Sequence, residues 1–286
     1  MSVKIITDSA SDLPREATKR YHIDVIPLLV YQNGEEFLDG VTLQSETMFQ
    51  AMRAGKSFQT AQPSLGTFVE TFTRYAENGE SCIYLAFSSK LSGTFQTAVM
   101  ARDQVKESHP QLDLDLLDTR CASVGFGMVV LKAAQWAQEG KSKEEILSLT
   151  RDYAAHMAHI FTVDNLEHLF RGGRLSRTAA LVGDLLNVKP LLHIKEGKLV
   201  PFDKIRGRKK AIRRIIEEMG KRGDDLKSQR IGICHGDDPE GADMLKSAIQ
   251  EAYGCEDFFV HIIGCAIGAH AGPGTLSVFF RSRETN

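Results

Sequence analysis

Short apolar runs alternate with helical patterns along the first half of the chain, and this alternation constrains the fold more than any other feature. Buried strands are indicated by the runs VKIITDS (3–9), CIYLAFS (82–88) and LDLDLLDT (112–119). Helical patterns lie between them, and in one of these Phe68 and Phe72 are four residues apart. Strands and helices in this order predict a parallel sheet with helices on both faces.

The pattern of predicted strands and helices changes after residue 156. Strand-like runs then occur around the turn signal Glu196-Gly197, and a helix, a glycine turn and a second helix are expected across 166–187. We therefore expect two domains. Residues 1–156 would form a Rossmann-like, three-layer α/β domain, and residues 157–286 a second α/β domain with a mixed sheet.

Three local patterns give further expectations. In the segment 23–40, Asn33-Gly34 predicts a hairpin of two strands. Ser142, followed by Glu145, predicts the N-cap of a helix. The segment GCAIGAHAGPG (264–274) indicates a glycine-rich loop that lets backbone approach a ligand closely.

Composition and charge exclude several classes of protein. The chain has 286 residues, 42% of them hydrophobic, with a net charge of −2, so neither nucleic acid nor an anionic membrane is expected to attract it globally. It shows no signal pattern at its start and no apolar stretch of about 18 residues, so we expect a cytoplasmic protein without a transmembrane segment. Buried, reduced thiols are expected for the five cysteines: Cys82, Cys121, Cys234, Cys255 and Cys265.

Hydroxyl residues follow two of the predicted strands and precede helices. Thr60 lies in QTAQPS (59–64) and Ser92 in SSKLSGT (88–94). Two helix N-termini and two hydroxyls together would hold an anion, although helix capping alone explains each residue as well. A serine nucleophile with His270 as its base is a weaker alternative, because Ser92 is not in a Gly-x-Ser-x-Gly elbow.

Other motifs leave their chemistry open. The turn FRGGRLSR (170–177) places Arg171 and Arg174 around two glycines, which suits a phosphate, a carboxylate, a protein interface or solvent. The basic segment KIRGRKKAIRR (204–214) fits a solvated helix face, a docking face for an acidic partner or, least well, a nucleic-acid patch. His270 would donate a hydrogen bond to a carboxylate or bond to backbone.

Metal and nucleotide motifs are weak. His156 and His159 are three residues apart on one predicted helix, where ordinary histidines are the favoured interpretation. His235, Asp237 and Asp238 fit a turn at a strand end better than a metal site. Since neither a P-loop nor a complete Rossmann fingerprint occurs, we expect no metal and no cofactor.

Taken together, the motifs resemble those of the DegV family of bacterial fatty-acid-binding proteins. They span almost the whole chain in the family's order, and the set is specific although each motif alone is weak. The matching segments are IITDSASDLP (5–14), LDGVTL (38–43), TAQPS (60–64), SSKLSGT (88–94), LDT (117–119), RGGRLS (171–176), KPLL (189–192), RGRKKAI (206–212) and GAHAGPG (268–274).

The resemblance implies the two-domain DegV-like α/β fold, with a long-chain fatty acid such as palmitate, stearate or oleate in a tunnel between the domains. The carboxylate would meet Thr60, Ser92 and Gly93, with His270 nearby. The protein would be a non-catalytic carrier subunit that presents the acid to an ATP-binding fatty-acid kinase subunit. Acyl-phosphate for phospholipid synthesis would be the product, and transient membrane contact fits such a role. Arg171 would contact the phosphate or the kinase.

One departure from the family pattern concerns the residue after Thr60. The family usually has serine there, and this chain has Ala61, so a hydroxyl beside the proposed carboxylate contact is missing. Two other functions stay open at this point: a hydrolase that uses Ser92 and His270, and a stand-alone regulatory protein that responds to lipid.

Overall fold

The structure is a computed structural model that describes residues 3–176 and 188–285. The second helix expected after Gly172-Gly173 falls on residues 177–187 and lies outside the described residues. The first half of the chain forms β1 (Lys4–Asp8), α1 (Arg15–Arg20), β2 (Asp24–Ile26), β3 (Leu29–Gln32), β4 (Glu35–Leu38), α2 (Ser45–Arg53), β5 (Gln59–Ala61), α3 (Leu65–Glu77), β6 (Cys82–Ala86), α4 (Thr94–Ser108), β7 (Leu114–Asp118), α5 (Ser123–Gln138) and α6 (Lys143–Ala155).

The second half of the chain begins at Met157. Its elements are β8 (Met157–Thr162), α7 (Glu167–Arg171), β9 (Val188–Lys195), β10 (Lys198–Arg206), α8 (Arg208–Arg222), β11 (Ile231–His235), α9 (Pro239–Tyr253), β12 (Phe258–Ile262), α10 (Cys265–Ala271) and β13 (Leu276–Arg281).

A parallel sheet of order β2-β1-β6-β7 organises the first half, as predicted. Successive side chains of β1 point to opposite faces, so Ile5 packs with α5 and α6 while Ile6 packs with α3 and α4. Both faces are therefore covered by helices, and the predicted α/β class with a three-layer arrangement is confirmed.

A mixed sheet of order β10-β9-β8-β13-β11-β12 organises the second half. Its strands pair antiparallel except β11 and β12, which are parallel. The helices α8 and α9 cover one face with Ile215 and Ile249. On the other face lies α5, which is apolar on all sides because it is enclosed between the two sheets. The strands from Met157 onward all belong to this sheet, and the division into domains at residue 156 stays a prediction.

A third, antiparallel sheet of order β4-β3-β5 lies beside these two. The predicted hairpin at Asn33-Gly34 is confirmed, with φ of 51° and 84° at the two turn residues. The strand expected before that turn is interrupted, however. β2 joins the parallel sheet and β3 the antiparallel one, because Pro27 between them has no N–H for a ladder.

The local predictions around α6 and β8 give a mixed outcome. Ser142 and Glu145 form the predicted capping box at the start of α6. The placement of two histidines on one helix is wrong, because α6 ends at Ala155 and His159 lies in β8, a strand buried on both sides. Within the described parts of the chain, no helix has the length and apolar character needed to cross a membrane.

The prediction of a loop throughout 264–274 is also wrong, since Cys265–Ala271 form the helix α10. Two contacts explain the helix. The buried carboxylate of Asp39 accepts a hydrogen bond from the N–H of Cys265, 2.8 Å away, which satisfies the first turn. Gly268 lets the helix approach Phe49 so closely that a Cβ would collide with its ring.

Candidate ligand-binding site

A cavity of about 500 Å³ lies between the mixed sheet and the loops that follow β5 and β6. Most of its wall is apolar, and Leu28, Phe87, Leu91, Phe161 and Ile267 contribute to it. Thr60, Gln62, Ser92, Arg174 and His270 form a polar group at one end, and Ser123, His159 and Ser277 are further polar residues of the lining. The cavity therefore has the shape and chemistry of a site for an apolar ligand with one polar group.

The structure brings the four residues expected at a carboxylate site to this one cavity. Thr60, Ser92, Gly93 and His270 all line it, although 210 residues separate the first from the last. The hydroxyl of Thr60 and Nε2 of His270 are 2.7 Å apart and share a hydrogen bond. What these residues bind is not visible in the geometry alone, so their assignment to a carboxylate stays a prediction.

Thr60 is positioned by a strand rather than by a helix. β5 pairs with β3, and Thr60 lies opposite Val30 in this ladder. The expectation that Thr60 immediately precedes a helix is wrong, because Ser64 caps α3 by accepting a hydrogen bond from the N–H of Thr67. The hydroxyl of Thr60 is thus not used for capping and points to His270 instead.

Ser92 does lie at a helix start, as predicted. Its Oγ is 2.8 Å from the hydroxyl of Thr94 and accepts a longer, 3.3 Å hydrogen bond from the Thr94 N–H. A Cβ at the next residue, Gly93, would displace the side-chain carbonyl of Gln62. Gln62 is held in place by donating to Thr97 on α4, at 2.7 Å. Sequence reasoning missed Gln62, although it lies within the same motif as Thr60.

His270 is neutral at physiological pH. Burial, and to a smaller extent the positive charges of Arg174 and Arg171, lower its pKa to about 4. Its ring lies against the backbone of Gly172, where a Cβ would collide with Nδ1. A neutral imidazole has one donor and one acceptor nitrogen, and Nε2 is the one that faces the Thr60 hydroxyl in the cavity.

The two arginines of the RGGR turn have different surroundings. Arg174 is half-buried, lines the cavity, and donates from Nε to the carbonyl of Leu91 at 3.0 Å. Arg171 is exposed and its Nη2 lies 3.0 Å from Nδ1 of His168. The assignment of Arg171 to a phosphate or kinase contact stays a prediction. Sequence reasoning named both arginines but did not separate them; Arg174 is the one that turns back to the cavity, after Gly173 at φ 70°.

A serine hydrolase arrangement finds no support in this geometry. The hydroxyl of Ser92 is hydrogen-bonded to Thr94, and Nε2 of His270 is hydrogen-bonded to Thr60. A nucleophile and its base need to be hydrogen-bonded to each other. Ser92 and His270 therefore face the cavity as separate polar groups.

The other candidate chemistry sites have structural roles. Asp238 caps α9 and binds Arg208, while Asp237 binds Arg53. In residues 3–176 and 188–285, no group of three or more His, Cys, Asp or Glu side chains is placed to hold a metal ion. The five cysteines are free and buried, as predicted.

The two ends of the cavity differ in burial. At the polar end, Thr60, Ser92 and His270 are all partly exposed. At the opposite end, His159 and Phe279 are 3% and 2% exposed. A ligand in the cavity would therefore have its polar group near the surface and its apolar part inside the protein.

Comparison with known proteins agrees with this picture. A family model described as "Uncharacterised protein, DegV family" matches residues 2–283. A DegV domain-containing protein of Clostridium perfringens is 40% identical over 279 residues, which cover 96% of each chain.

Solved structures of two related proteins are also similar to this chain over its whole length. One is a DegV family protein from Thermus thermophilus described by its fatty acid binding, with 31% identity, a TM-score of 0.88 and coverage of 99% of this chain and 100% of the other. The other is DegV of Bacillus subtilis, described as a fatty acid binding protein, with 30% identity, a TM-score of 0.86 and the same coverage. This chain belongs to the DegV family.

Proposed function

We propose that this protein binds a long-chain fatty acid such as palmitate, stearate or oleate, with its carboxylate at Thr60, Ser92, Gly93 and His270. One observation carries the proposal: the cavity wall is mostly apolar and runs to the buried residues His159 and Phe279, and hydroxyls meet a neutral histidine at its other end. Relatives described as fatty-acid-binding proteins have the same fold and 30–31% identity, which supports this choice of ligand.

The size of the cavity suits such an acid. A methylene group occupies about the volume of a water molecule, roughly 30 Å³, so 500 Å³ accommodates about 16 such groups. Burying about 15 carbons of palmitate at ~0.8 kcal/mol each gives roughly 12 kcal/mol of gross driving force. Ordering and association entropy oppose part of it, and the remainder is ample for tight binding.

The polar end suits an ionised carboxyl group. A carboxylate without partners in this position would cost several kcal/mol or take up a proton. The hydroxyls of Thr60 and Ser92 are able to donate to it, and the guanidinium of Arg174 at the cavity wall supplies a positive charge. Single hydroxyl donors leave part of the carboxylate free, whereas a bidentate arginine clamp would engage both oxygens.

We further propose that the bound acid is presented to a separate ATP-binding fatty-acid kinase subunit. A carboxylate oxygen would attack the γ-phosphorus of ATP as the bond to the ADP oxygen breaks, so acyl-phosphate and ADP are formed. This chain would contribute binding and orientation, and Arg171 would contact the phosphate or the kinase. The partial exposure of the polar end supports presentation, since the partner must reach the carboxylate.

A basic surface near the start of α8 supports docking of an acidic partner. Arg208 and Arg214 of this segment are paired with Asp238 and Glu218, but Lys209 and Lys210 are exposed. Complementary charge increases association rates and favours one orientation of two proteins. The docking surface would then lie on the mixed-sheet half of the chain.

The first test is native mass spectrometry of the protein purified from bacteria, followed by organic extraction. A co-purified mass of a C14–C18 acid, released on denaturation, is expected. An empty protein that also fails to take up palmitate or oleate would overturn fatty-acid binding.

The kinase role needs a second assay, in which the protein, oleate and ATP are incubated with and without the kinase subunit. We expect acyl-phosphate only when the kinase subunit is present. Turnover by this chain alone would contradict the carrier role, and so would a kinase subunit that works equally well without it.

A further inference from the structure

The direction of the cavity follows from alternate residues of β13. Ser277 and Phe279 of β13 line it, as expected for one face of a strand, and so does Thr275, the residue immediately before β13. The hydroxyl of Thr275 donates to the carbonyl of Ala271, the residue after His270, at 2.9 Å. The cavity therefore runs along β13 from the polar end at His270 to Phe279.

The length of this path sets a scale for the acyl chain. Four residues of strand span about 14 Å at about 3.4 Å each. An extended hydrocarbon advances about 1.25 Å per carbon, given C–C bonds of about 1.52 Å and angles of about 111°. The β13 path alone therefore corresponds to about 11 carbons, and the carboxyl end at Thr60 and Ser92 extends beyond it.

One side of the deep end is closed rigidly. The ring of His159 packs edge-to-face on Phe279, with centroids 5.2 Å apart. Its Nδ1 is 2.8 Å from the carbonyl of Met157, and its Nε2 accepts from the N–H of Ala122 at 3.2 Å. A Cβ at Gly125 would collide with both rings, so there is no space behind them.

The other side of the deep end is formed by Ile194 of β9. This residue is 4% exposed and, among the described residues, is the only one that lines both the main cavity and a second cavity of about 290 Å³. The lining of the second cavity includes the buried apolar residues Cys121 and Met157. Arg120 and Arg151 line it as well and are exposed, so it reaches the surface.

We propose that Ile194 is the residue that determines the longest acyl chain this protein accepts, by separating the acyl cavity from the second cavity. This inference rests on the proposed fatty-acid binding. The His159–Phe279 side of the wall is packed without free space, whereas behind the Ile194 side chain there is empty volume. A smaller residue at this position would join the two cavities, so the end of a longer acyl chain would extend into the second cavity.

The expected effect follows from the carbons removed. Ile194→Ala deletes three side-chain carbons, which makes room for about three methylene groups. Each methylene that moves from water into the cavity increases affinity about fourfold. We therefore expect the preferred saturated acid to become about two to four carbons longer. The ratio of the affinity for C20 to the affinity for C16 should increase at least about tenfold.

The test is a competition assay in which saturated acids from C12 to C22 displace a fluorescent fatty acid from the wild type and from Ile194→Ala. Ile160→Ala is the matched control, because Ile160 is buried on the opposite face of the neighbouring strand and does not line either cavity. It should leave the chain-length profile as in the wild type. Ile194→Val, which removes one methyl group, gives a smaller shift in the same direction and serves if the alanine variant does not fold.

The outcomes separate this inference from the proposed function. A wild type that binds no acid of any length would overturn the proposed function and the inference together. A wild type that binds acids, with the same profile in both Ile194 variants, would overturn the inference alone. A longer optimum in Ile160→Ala as well would also overturn it, because a general loosening of the core would then explain the shift.

Discussion

Removing the two hydroxyls at the polar end is expected to weaken fatty-acid binding about a hundredfold. The change is Thr60→Val with Ser92→Ala, which keeps the volume at the first position and deletes one oxygen at the second. In the free protein these hydroxyls are bonded to His270 and Thr94, so binding exchanges one partner for another. Each contribution should therefore lie at the low end of about 1.5–3 kcal/mol for a hydrogen bond to a charged group, or about tenfold in affinity.

The assay compares palmitate with hexadecanol in displacement of a fluorescent fatty acid. Palmitate should lose about a hundredfold in the double variant, but hexadecanol, which carries no charge, should lose much less. Thr71→Ala is a matched control, since its hydroxyl donates to the carbonyl of Thr67 within α3 and is outside the cavity lining. Unchanged palmitate affinity in a folded double variant would refute the assignment of the carboxylate to Thr60 and Ser92.

Three further predictions concern stability and the partner. Burial lowers the pKa of His159 to about 4, so between pH 6.5 and 4 the unfolded chain binds a proton that the folded one does not. Relative to His159→Gln, the wild type should lose about 3 kcal/mol more stability over that interval in urea unfolding, and equal losses would contradict this. Gly197→Ala should destabilise the protein by about 1–3 kcal/mol in thermal unfolding, because φ is 80° and a Cβ would collide with Ser88. Gly34→Ala is the control, with φ of 84° but no atom within 4 Å of the Cβ, and it should lower the free energy of unfolding by less. Lys209→Glu with Lys210→Glu should slow acyl-phosphate formation with the kinase subunit at low salt while palmitate affinity stays unchanged, and an unchanged rate would place the docking surface elsewhere.

Features set by neighbours in the chain were predictable from the sequence. The Asn33-Gly34 turn and the capping box of Ser142 with Glu145 depend on a few adjacent residues, and the structure contains both. The parallel sheet was predictable too, because buried strands that alternate with helices have few other arrangements.

Features set by distant contacts were not predictable in the same way. β5 has three residues and exists because it pairs with β3, and α10 is a helix because Asp39, 226 residues away, satisfies its first turn. The meeting of Thr60 and His270 depends on both elements. Each motif alone therefore indicated candidate residues without a specific function. The resemblance to the family required all the motifs together, in their order along the chain.

Under the proposed function, the arrangement of the cavity would meet two requirements that oppose each other. A fatty acid must be removed from water along its whole chain, which demands an apolar wall, and its carboxylate must stay accessible to a second protein. Much of the wall is built by the mixed sheet, while the residues proposed to bind the carboxylate lie on β5, just before α4 and on α10. These residues all reach the surface of the protein. Because His270 is neutral, the charged groups of the site would be the guanidinium of Arg174 and the carboxylate of the ligand. Because the deep wall and the polar end are on different elements, substitutions at Ile194 should change chain length without changing how the carboxylate is held.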